Sequence, residues 1–167
     1  MYIMTTTPLM NVWKLYYHYD INKWTIDSYV LISTIKTVED FWTLINYLKK
    51  NKTILEEHLF LMKNNILPIW ECNENKNGGC WSFKIDIKQS LEIFTLLCSY
   101  LITESLLSIP ELNNEINGIT FTIKNSYNSI IQVWNINKKV NKISLFIPEI
   151  LDKFNLDIIY RSHVPDY

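Results

Sequence analysis

Alternating apolar and polar residues predict the first two strands of this chain. The pattern covers residues 12–19 (VWKLYYHY) and 28–35 (SYVLISTI). The polar segment 20–27 between them predicts a turn that carries Trp24. Two runs joined by a short turn favour an antiparallel pair. Further strands are predicted at residues 66–71, 81–87, 118–124, 130–136 and 157–162.

Two polar loops are predicted to join the later strands in pairs. Residues 73–79 (NENKNGG) separate 66–71 from 81–87, and we expect their glycines to adopt positive φ. The loop NSYNS separates 118–124 from 130–136. In the 81–87 segment one face is apolar, and it consists of Trp81, Phe83, Ile85 and Ile87.

The first helical segment begins at a capping-box pattern, Thr37-Val-Glu-Asp40, and is predicted to end at Lys49 or Lys50. Its predicted core stripe is Phe41, Leu44, Ile45 and Leu48. At 100° per residue, Val38 and Trp42 lie together on a flank outside that stripe. Trp42 is therefore a candidate surface aromatic.

Two more helices complete the predicted elements. One spans residues 91–106 with Ser90 as its cap, and the other spans 141–155, where Pro148 either kinks the helix or starts its second part. Strand pairs interrupted by three helices predict an α+β fold, a largely antiparallel sheet with its helices on one face. No repeat or linker divides the chain, so we predict a single domain over residues 1–167.

Composition excludes several classes of protein. Sixteen basic and seventeen acidic residues give a net charge of −1, and 48% of the residues are apolar, which excludes a disordered tail and a polybasic nucleic-acid arm. The chain has no alanine and many Ile, Asn and Lys residues, as AT-rich codons produce. Tryptophan has a G-rich codon, so the six tryptophans run against this bias and call for a functional reason.

Motifs for catalysis, metal binding and membrane insertion are missing from the sequence. The three cysteines form no CxxC pair and the three histidines are scattered, so we expect no metal site. Phosphate-binding glycine loops, HExxH and GxSxG are absent, so we expect neither an enzyme nor a cofactor. No apolar stretch is long enough to span a bilayer, and residues 1–11 do not resemble a secretory signal, so we expect a cytoplasmic protein.

Trp24 and the pair Trp70-Glu71 are the candidate binding residues. Two indoles can enclose a planar ring, and a neighbouring carboxylate can accept two hydrogen bonds from the N1 and N2 edge of guanine. A positively charged ring gains cation–π attraction as well. The competing interpretation is that these tryptophans are core residues, which is the commoner role of a strand tryptophan.

Several motifs in this order resemble one family. They are TPLMNVW at 7–13, LIS at 31–33, TVEDFW at 37–42, IxPxWE at 66–71 and GGxW at 78–81. Together they resemble eukaryotic translation initiation factor 4E, the mRNA cap-binding protein. The resemblance implies a curved, largely antiparallel sheet of about seven or eight strands, backed by three helices, with 7-methylguanosine bound on its concave side.

The resemblance also assigns roles to residues in the cap site. Trp24 and Trp70 would stack on the methylated base, Glu71 would bind its N1 and N2 edge, and Trp134 would lie near the N7 methyl group. Lys124 matches the arginine that holds the cap phosphates, and the loop after it has no basic residue. We therefore expect weak phosphate binding with a low salt dependence. Three other lysines either compensate or are solvated surface: Lys76, Lys84 and Lys138.

A second surface is implied on the convex side. Pro8, Val38 and Trp42 match the residues with which the family binds a YxxxxLΦ helix (Φ apolar) of initiation factor 4G or of inhibitory binding proteins. The second helix leaves two registers open. Either Thr95 and Ser99 face such a partner, or the apolar run 96–98 does.

The function predicted from the sequence is therefore binding, by a monomer, of the cap of mRNA, so that capped mRNA is recruited for translation initiation. One alternative is a decoy or repressor that binds the cap without engaging the scaffold factor. Another is a module for a variant cap or a different planar ligand. Compact length and AT-biased composition are typical of a virus- or parasite-encoded version.

Overall fold

The structure, a computed structural model, describes residues 5–20, 22–51, 58–154 and 158–164. The strands in these residues are β1 (Pro8–His18), β2 (Tyr29–Thr37), β3 (His58–Lys63), β4 (Gly79–Asp86), β5 (Ile116–Ile123), β6 (Asn128–Asn135) and β7 (Ile158–Ser162). The α-helices are α1 (Val38–Lys50), α2 (Ser90–Ile102) and α3 (Pro148–Phe154). Short 3₁₀ turns lie at Ile26–Ser28, Pro110–Glu115 and Ile143–Leu145.

The seven strands of the described part form one curved antiparallel sheet in the order β2-β1-β3-β5-β6-β4-β7. The predicted α+β class and the predicted antiparallel pairing of β1 with β2 are confirmed. The predicted hairpin of β5 and β6 is confirmed as well. The bounds of the first pair differ from prediction at both ends. β1 begins at Pro8, before its predicted start, and ends at His18 instead of residue 19. β2 begins at Tyr29 instead of residue 28 and continues past its predicted end to the start of α1.

The main core lies between one face of the sheet and the three helices. It includes Leu59, Phe121 and Phe83 from the sheet and Phe94 from α2, all of which are fully buried. A smaller apolar cluster lies on the opposite face, on which no helix of the described residues packs, and consists of Phe60, Met62, Cys80 and Trp134. We call this opposite side the helix-free face. No helix in the described residues is long and apolar enough to cross a membrane.

Helix α1 begins as its sequence predicts. Thr37 Oγ1 accepts a hydrogen bond from Asp40 N at 3.1 Å, and Asp40 Oδ2 accepts one from Thr37 N at 3.0 Å, which completes the capping box. The helix continues through Lys50, and its predicted core stripe is buried. Trp42 keeps 46% of its surface exposed, so the predicted surface aromatic is confirmed.

The predicted strand at residues 66–71 is wrong. These residues lie in an irregular loop, 64–78, and the strand that precedes the loop is β3. β3 is buried on both faces, so its sequence HLFLMK does not alternate and gave no strand signal. Consequently β4 does not form a hairpin with 66–71 but lies between β6 and β7.

The expectation of positive φ at the glycines is also wrong, since no glycine in the described residues adopts it. Gly78 and Gly79 are required instead by close packing of backbones. A β carbon on Gly78 would lie 1.7 Å from Asn135 O, and one on Gly79 would lie 2.3 Å from Arg161 O. Both contacts are far inside van der Waals distance, so a side chain at either position would separate the strands.

The two later helices differ from prediction at their ends. Ser90 is the first residue of α2 and not its cap, since Gln89 holds the N-cap position; the Ser90 hydroxyl donates to Ile87 O at 2.7 Å. The helix ends at Ile102 instead of residue 106, and Leu106 is buried outside it. The predicted α-helix over residues 141–147 is wrong, because these residues hold only a 3₁₀ turn at Ile143–Leu145 and an isolated bridge from Phe146 to Leu107. Pro148 is the first residue of α3 and does not kink a longer helix. Residues 155 and 157, at predicted ends of the last two elements, lie outside the described residues.

Candidate functional site

A pocket of about 410 Å³ opens on the helix-free face of the sheet. Its walls come from the β1–β2 connection, the loop 64–78, and the strands β3, β5 and β6. All five residues predicted for cap binding line it: Trp24, Trp70, Glu71, Trp134 and Lys124. The other lining residues are Tyr29, His58, Phe60, Pro68, Ile69, Thr120, Thr122 and Gln132.

Trp24 is held in a defined orientation by the end of β1. Its ring stacks on His18 with the centroids 4.1 Å apart and the planes 11° from parallel. His18 is fully buried, and its Nε2 donates to the Lys23 carbonyl at 2.7 Å. Ser28 Oγ donates to the same carbonyl at 2.7 Å. These bonds fix the backbone beside Trp24, while 47% of its surface remains exposed.

Trp70 and Glu71 are positioned by a buried amide beneath their loop. Asn75 is fully buried, and its Nδ2 donates to Leu67 O at 2.9 Å and to Ile69 O at 2.8 Å. Its Oδ1 accepts a hydrogen bond from Asn117 Nδ2 at 2.9 Å, which ties the loop to β5. The carbonyls before Trp70 are therefore satisfied inside the protein, and the indole projects from an anchored loop.

Trp134 forms a wall of the pocket between two other rings. It meets Phe60 edge to face at 6.2 Å between centroids, and it lies 4.7 Å from the ring of His163. His163 donates from Nδ1 to Asn75 O at 2.8 Å, so the wall is joined to the loop of Trp70. Trp134 is buried, unlike the two exposed indoles.

A carboxylate and an ammonium give the pocket its electrostatic character. Burial raises the pKa of Tyr29 to about 12, and the negative charge of Glu71 contributes in the same direction. Burial lowers the pKa of His58, and the positive charge of Lys124 adds to that effect. Glu71 and Lys124 thus act on different neighbours within one aromatic cavity, so a ligand there meets both signs of charge.

The residues predicted for partner binding lie at the start of β1 and in α1, away from this pocket. Val38 N donates to Thr7 O at 2.9 Å, which fastens the residue before Pro8 to the beginning of the helix. Pro8 and Trp42 are exposed and Val38 is half-buried. Because α1 packs on the face opposite the pocket, these residues form a separate surface.

The residues of the two registers left open for α2 differ in burial. Leu97 and Cys98 are buried in the core, whereas Thr95, Leu96 and Ser99 are half-buried. The hydroxyls of Thr95 and Ser99 each donate to a carbonyl of their own helix at 2.7 Å. The outward positions of the helix therefore include two hydroxyl residues.

Several lining residues were not predicted from the sequence. His58 and Phe60 belong to β3, the strand that gave no alternation signal. Thr120 and Gln132 could have been found, because they are polar positions on the alternating strands β5 and β6. Tyr29 was assigned to a strand without a role, although its place directly after the Trp24 turn puts it near that indole.

The sequence of this chain is similar to proteins of one known family. The sequence model of the family described as eukaryotic initiation factor 4E matches residues 8–166. The chain belongs to this family. Translation initiation factor 4E1 of Drosophila melanogaster is 38% identical over 135 residues, which are 76% of this chain and 49% of that protein. Initiation factor 4E-3 of Caenorhabditis elegans is 30% identical over 156 residues, 89% of this chain and 61% of that protein.

The family likeness extends to the three-dimensional structure. A solved complex of the Caenorhabditis elegans 4E-3 factor with the 4E-binding protein Mextli and a cap analogue superposes with a TM-score of 0.79. The two chains are 25% identical, and the match covers 95% of this chain and 94% of the other. The chain spans about half to three-fifths of the length of the two curated relatives, with 49% and 61% covered.

Proposed function

We propose that this protein binds the 7-methylguanosine cap of mRNA and recruits capped mRNA for translation initiation in the cytoplasm. It acts by binding and carries out no reaction. The observation that carries the proposal is the convergence of Trp24, Trp70 and Glu71 on one pocket from two separate loops. The likeness to a 4E-3 factor solved with a cap analogue supports it.

The chemistry of the three side chains favours a methylated guanine. N7 methylation gives the base a positive charge, and a cationic ring against an indole gains about 0.5–2 kcal/mol of cation–π attraction. Stacking contributes about 1–3 kcal/mol per base. The Glu71 carboxylate accepts from the N1 and N2 donors of guanine, and a charge-assisted hydrogen bond is worth about 1.5–3 kcal/mol. A base without those donors would leave the carboxylate unpaired.

A single carboxylate substitution tests the proposal. Glu71→Gln keeps the shape of the side chain but replaces one acceptor oxygen with a donor, so we expect at least a tenfold loss of retention on 7-methylguanosine resin. Glu74→Gln is the matched control, because Glu74 is an exposed carboxylate of the same loop that does not line the pocket. Equal retention of wild type and Glu71→Gln contradicts the proposed site.

We propose that Pro8, Val38 and Trp42 bind a YxxxxLΦ helix of the scaffold factor or of an inhibitory binding protein. The exposed indole of Trp42 supports this, since a large aromatic ring on a helix surface is a usual anchor for a partner. The 4E-3 complex with Mextli supports it too. Without such a partner, the protein would act as a cap-binding decoy or repressor.

A further inference from the structure

His58, the first residue of β3, is the one histidine among the residues that line the pocket. Its Cα pairs with that of His18 on β1, so both side chains lie on the helix-free face, with 6.2 Å between their ring centroids. The His58 ring also meets the Trp24 indole at 5.4 Å between centroids, with the two planes 60° apart. A charge on His58 would therefore lie beside the indole on which the base is proposed to stack.

The stacking of His18 on Trp24 determines which face of the indole a ligand can use. His18 lies nearly parallel to the indole at 4.1 Å between centroids, and it is fully buried and does not line the pocket. A base that stacks on Trp24 must therefore use the opposite face. Of the two paired imidazoles, the half-buried ring of His58 is the one that reaches the pocket.

The surroundings of His58 oppose its protonation. Burial lowers the pKa of His58 below its ordinary value of 6.5, and the positive charge of Lys124 and the neighbouring His18 lower this pKa further. Lys124 directly follows β5 and His18 is on β1, so these groups act from both strands that flank β3. Within the described ranges His58 forms no ion pair with a carboxylate, although Glu71 lines the same pocket, as does Tyr29 of β2. His58 is therefore uncharged at neutral pH and takes up a proton only in acidic solution.

We propose that His58 decides whether the pocket accepts a positively charged ring. Its neutral imidazole admits the methylated guanine beside Trp24, and its protonated form excludes that base. The inference rests on the proposed function, since its ligand is the methylated base of that proposal. It makes His58 a specificity-determining residue, because the preference for methylated over unmethylated guanine is lost as the solution becomes acidic.

Repulsion between like charges gives the effect its sign and its size. Two positive charges about 6 Å apart in a partly buried site repel each other strongly enough to lower affinity about tenfold. The ring of unmethylated guanine carries no positive charge, so it does not experience this repulsion. Because a cationic ligand disfavours the protonated form of His58, the affinity for methylated guanine falls as the pH falls through the pKa of His58.

The test measures the dissociation constants of 7-methylguanosine triphosphate and guanosine triphosphate by tryptophan fluorescence, between about pH 7.5 and about pH 4.5. The two ligands carry the same triphosphate and the same N1 and N2 donors, so protonation of the phosphates or of Glu71 affects both alike. The ratio of the two dissociation constants therefore reports on the charge of the ring. Circular dichroism at each pH monitors whether the protein remains folded.

Two substitutions of His58 test the assignment in opposite directions. In wild type the preference for the methylated ligand should fall about tenfold toward acidic pH, whereas in His58→Gln, which cannot be protonated, it should stay constant within about twofold. His58→Lys carries a fixed charge, so its preference should already be low at neutral pH. Asn73→Lys is the matched control for an added charge and should behave as wild type, because Asn73 is exposed and does not line the pocket.

The other two histidines of the chain separate the effect of His58 from that of any imidazole near the pocket. His18→Phe keeps an aromatic ring to stack on Trp24, and His163→Gln keeps a side-chain donor for Asn75 O. Both variants should retain the fall in preference toward acidic pH, even where their affinity at neutral pH is lower, because the imidazole that lines the pocket is still present.

A wild-type preference that is the same at neutral and acidic pH would overturn the inference. A preference that falls as steeply in His58→Gln as in wild type would overturn it too, as would a His58→Lys variant that selects the methylated ligand as wild type does at neutral pH. If wild type does not prefer the methylated ligand even at neutral pH, it is the proposed function that fails. The two failures are therefore distinguishable.

Discussion

The six tryptophans divide into three groups according to their surroundings. Trp13 and Trp81 are fully buried in the core. Trp134 is a wall of the pocket, and the remaining three are close to half exposed: Trp24, Trp42 and Trp70. An exposed indole leaves a large apolar surface in water, so three of them in one small protein indicate binding surfaces. Tryptophan runs against the codon bias of the chain, and burial separates the structural tryptophans from the exposed ones.

The role of Asn75, which holds the loop of Trp70 from beneath, was not predicted from the sequence. Asn75 lies in the polar run NENKNGG, and the sequence does not distinguish a buried asparagine from solvated ones. We predict that Asn75→Ala lowers the free energy of unfolding by about 1–3 kcal/mol, because the carbonyls of Leu67 and Ile69 lose their donor. Affinity for 7-methylguanosine triphosphate should fall as well, since Trp70 follows directly.

Chemical denaturation and fluorescence titration measure the two effects. Asn73→Ala is the control, because Asn73 is exposed and its side chain accepts a bond from an exposed lysine of the same loop. Unchanged stability and affinity in Asn75→Ala would contradict the assigned role of the amide.

At the scale of elements, the strands with polar residues along one face were predictable and the strand with apolar residues on both faces was not. β4, β5 and β6 alternate, because one side of each packs in the main core and the other faces the pocket or a second cavity beside it. β3 is apolar on both faces, so periodicity could not reveal it. Residues 66–71 were predicted as a strand, but they belong to the irregular loop 64–78, where Pro68 and Ile69 line the pocket without pairing with a strand.

Helix α1 was predictable because its sequence signals are local. Its capping box and its apolar stripe were legible because both depend on residues three or four apart. The flank that bears Val38 and Trp42 was predictable for the same reason, because at 100° per residue both positions fall outside the stripe. The sequence of the helix does not identify which partner this flank binds.

A YxxxxLΦ peptide tests the flank of α1. We predict that wild type binds the peptide and that Trp42→Ala weakens binding by about 2 kcal/mol or more, since a central aromatic anchor dominates such interfaces. Tyr47→Ala is the matched control, because Tyr47 is an equally exposed aromatic five residues further along the helix. Isothermal titration gives the dissociation constants.

Retention on cap resin should be unchanged in Trp42→Ala, because α1 and the pocket lie on opposite faces of the sheet. Equal peptide affinity of Trp42→Ala and Tyr47→Ala would contradict the assignment of the surface. Failure of wild type to bind the peptide would favour the decoy or repressor.

For the whole molecule, the near-zero net charge conceals an uneven distribution. The overall charge is −1, yet the second cavity on the helix-free face gathers Lys84, Lys124 and Arg161 beside the pocket that holds Glu71. Arg161 was overlooked because it lies far along the chain from the other cations, and only the pairing of β4 with β7 brings it to them. Patterns along the sequence do not show which distant strands pair, so they could not place Arg161 near these lysines.

The central claim is that the pocket selects a positively charged guanine. Fluorescence titration of the wild-type protein with 7-methylguanosine triphosphate and with unmethylated guanosine triphosphate tests it most directly. The two ligands carry the same phosphates, so any difference comes from the ring. We predict that the methylated ligand quenches the exposed tryptophans and binds about tenfold more tightly or better, as cation–π attraction of up to about 2 kcal/mol provides. Equal affinity for both ligands would contradict the account.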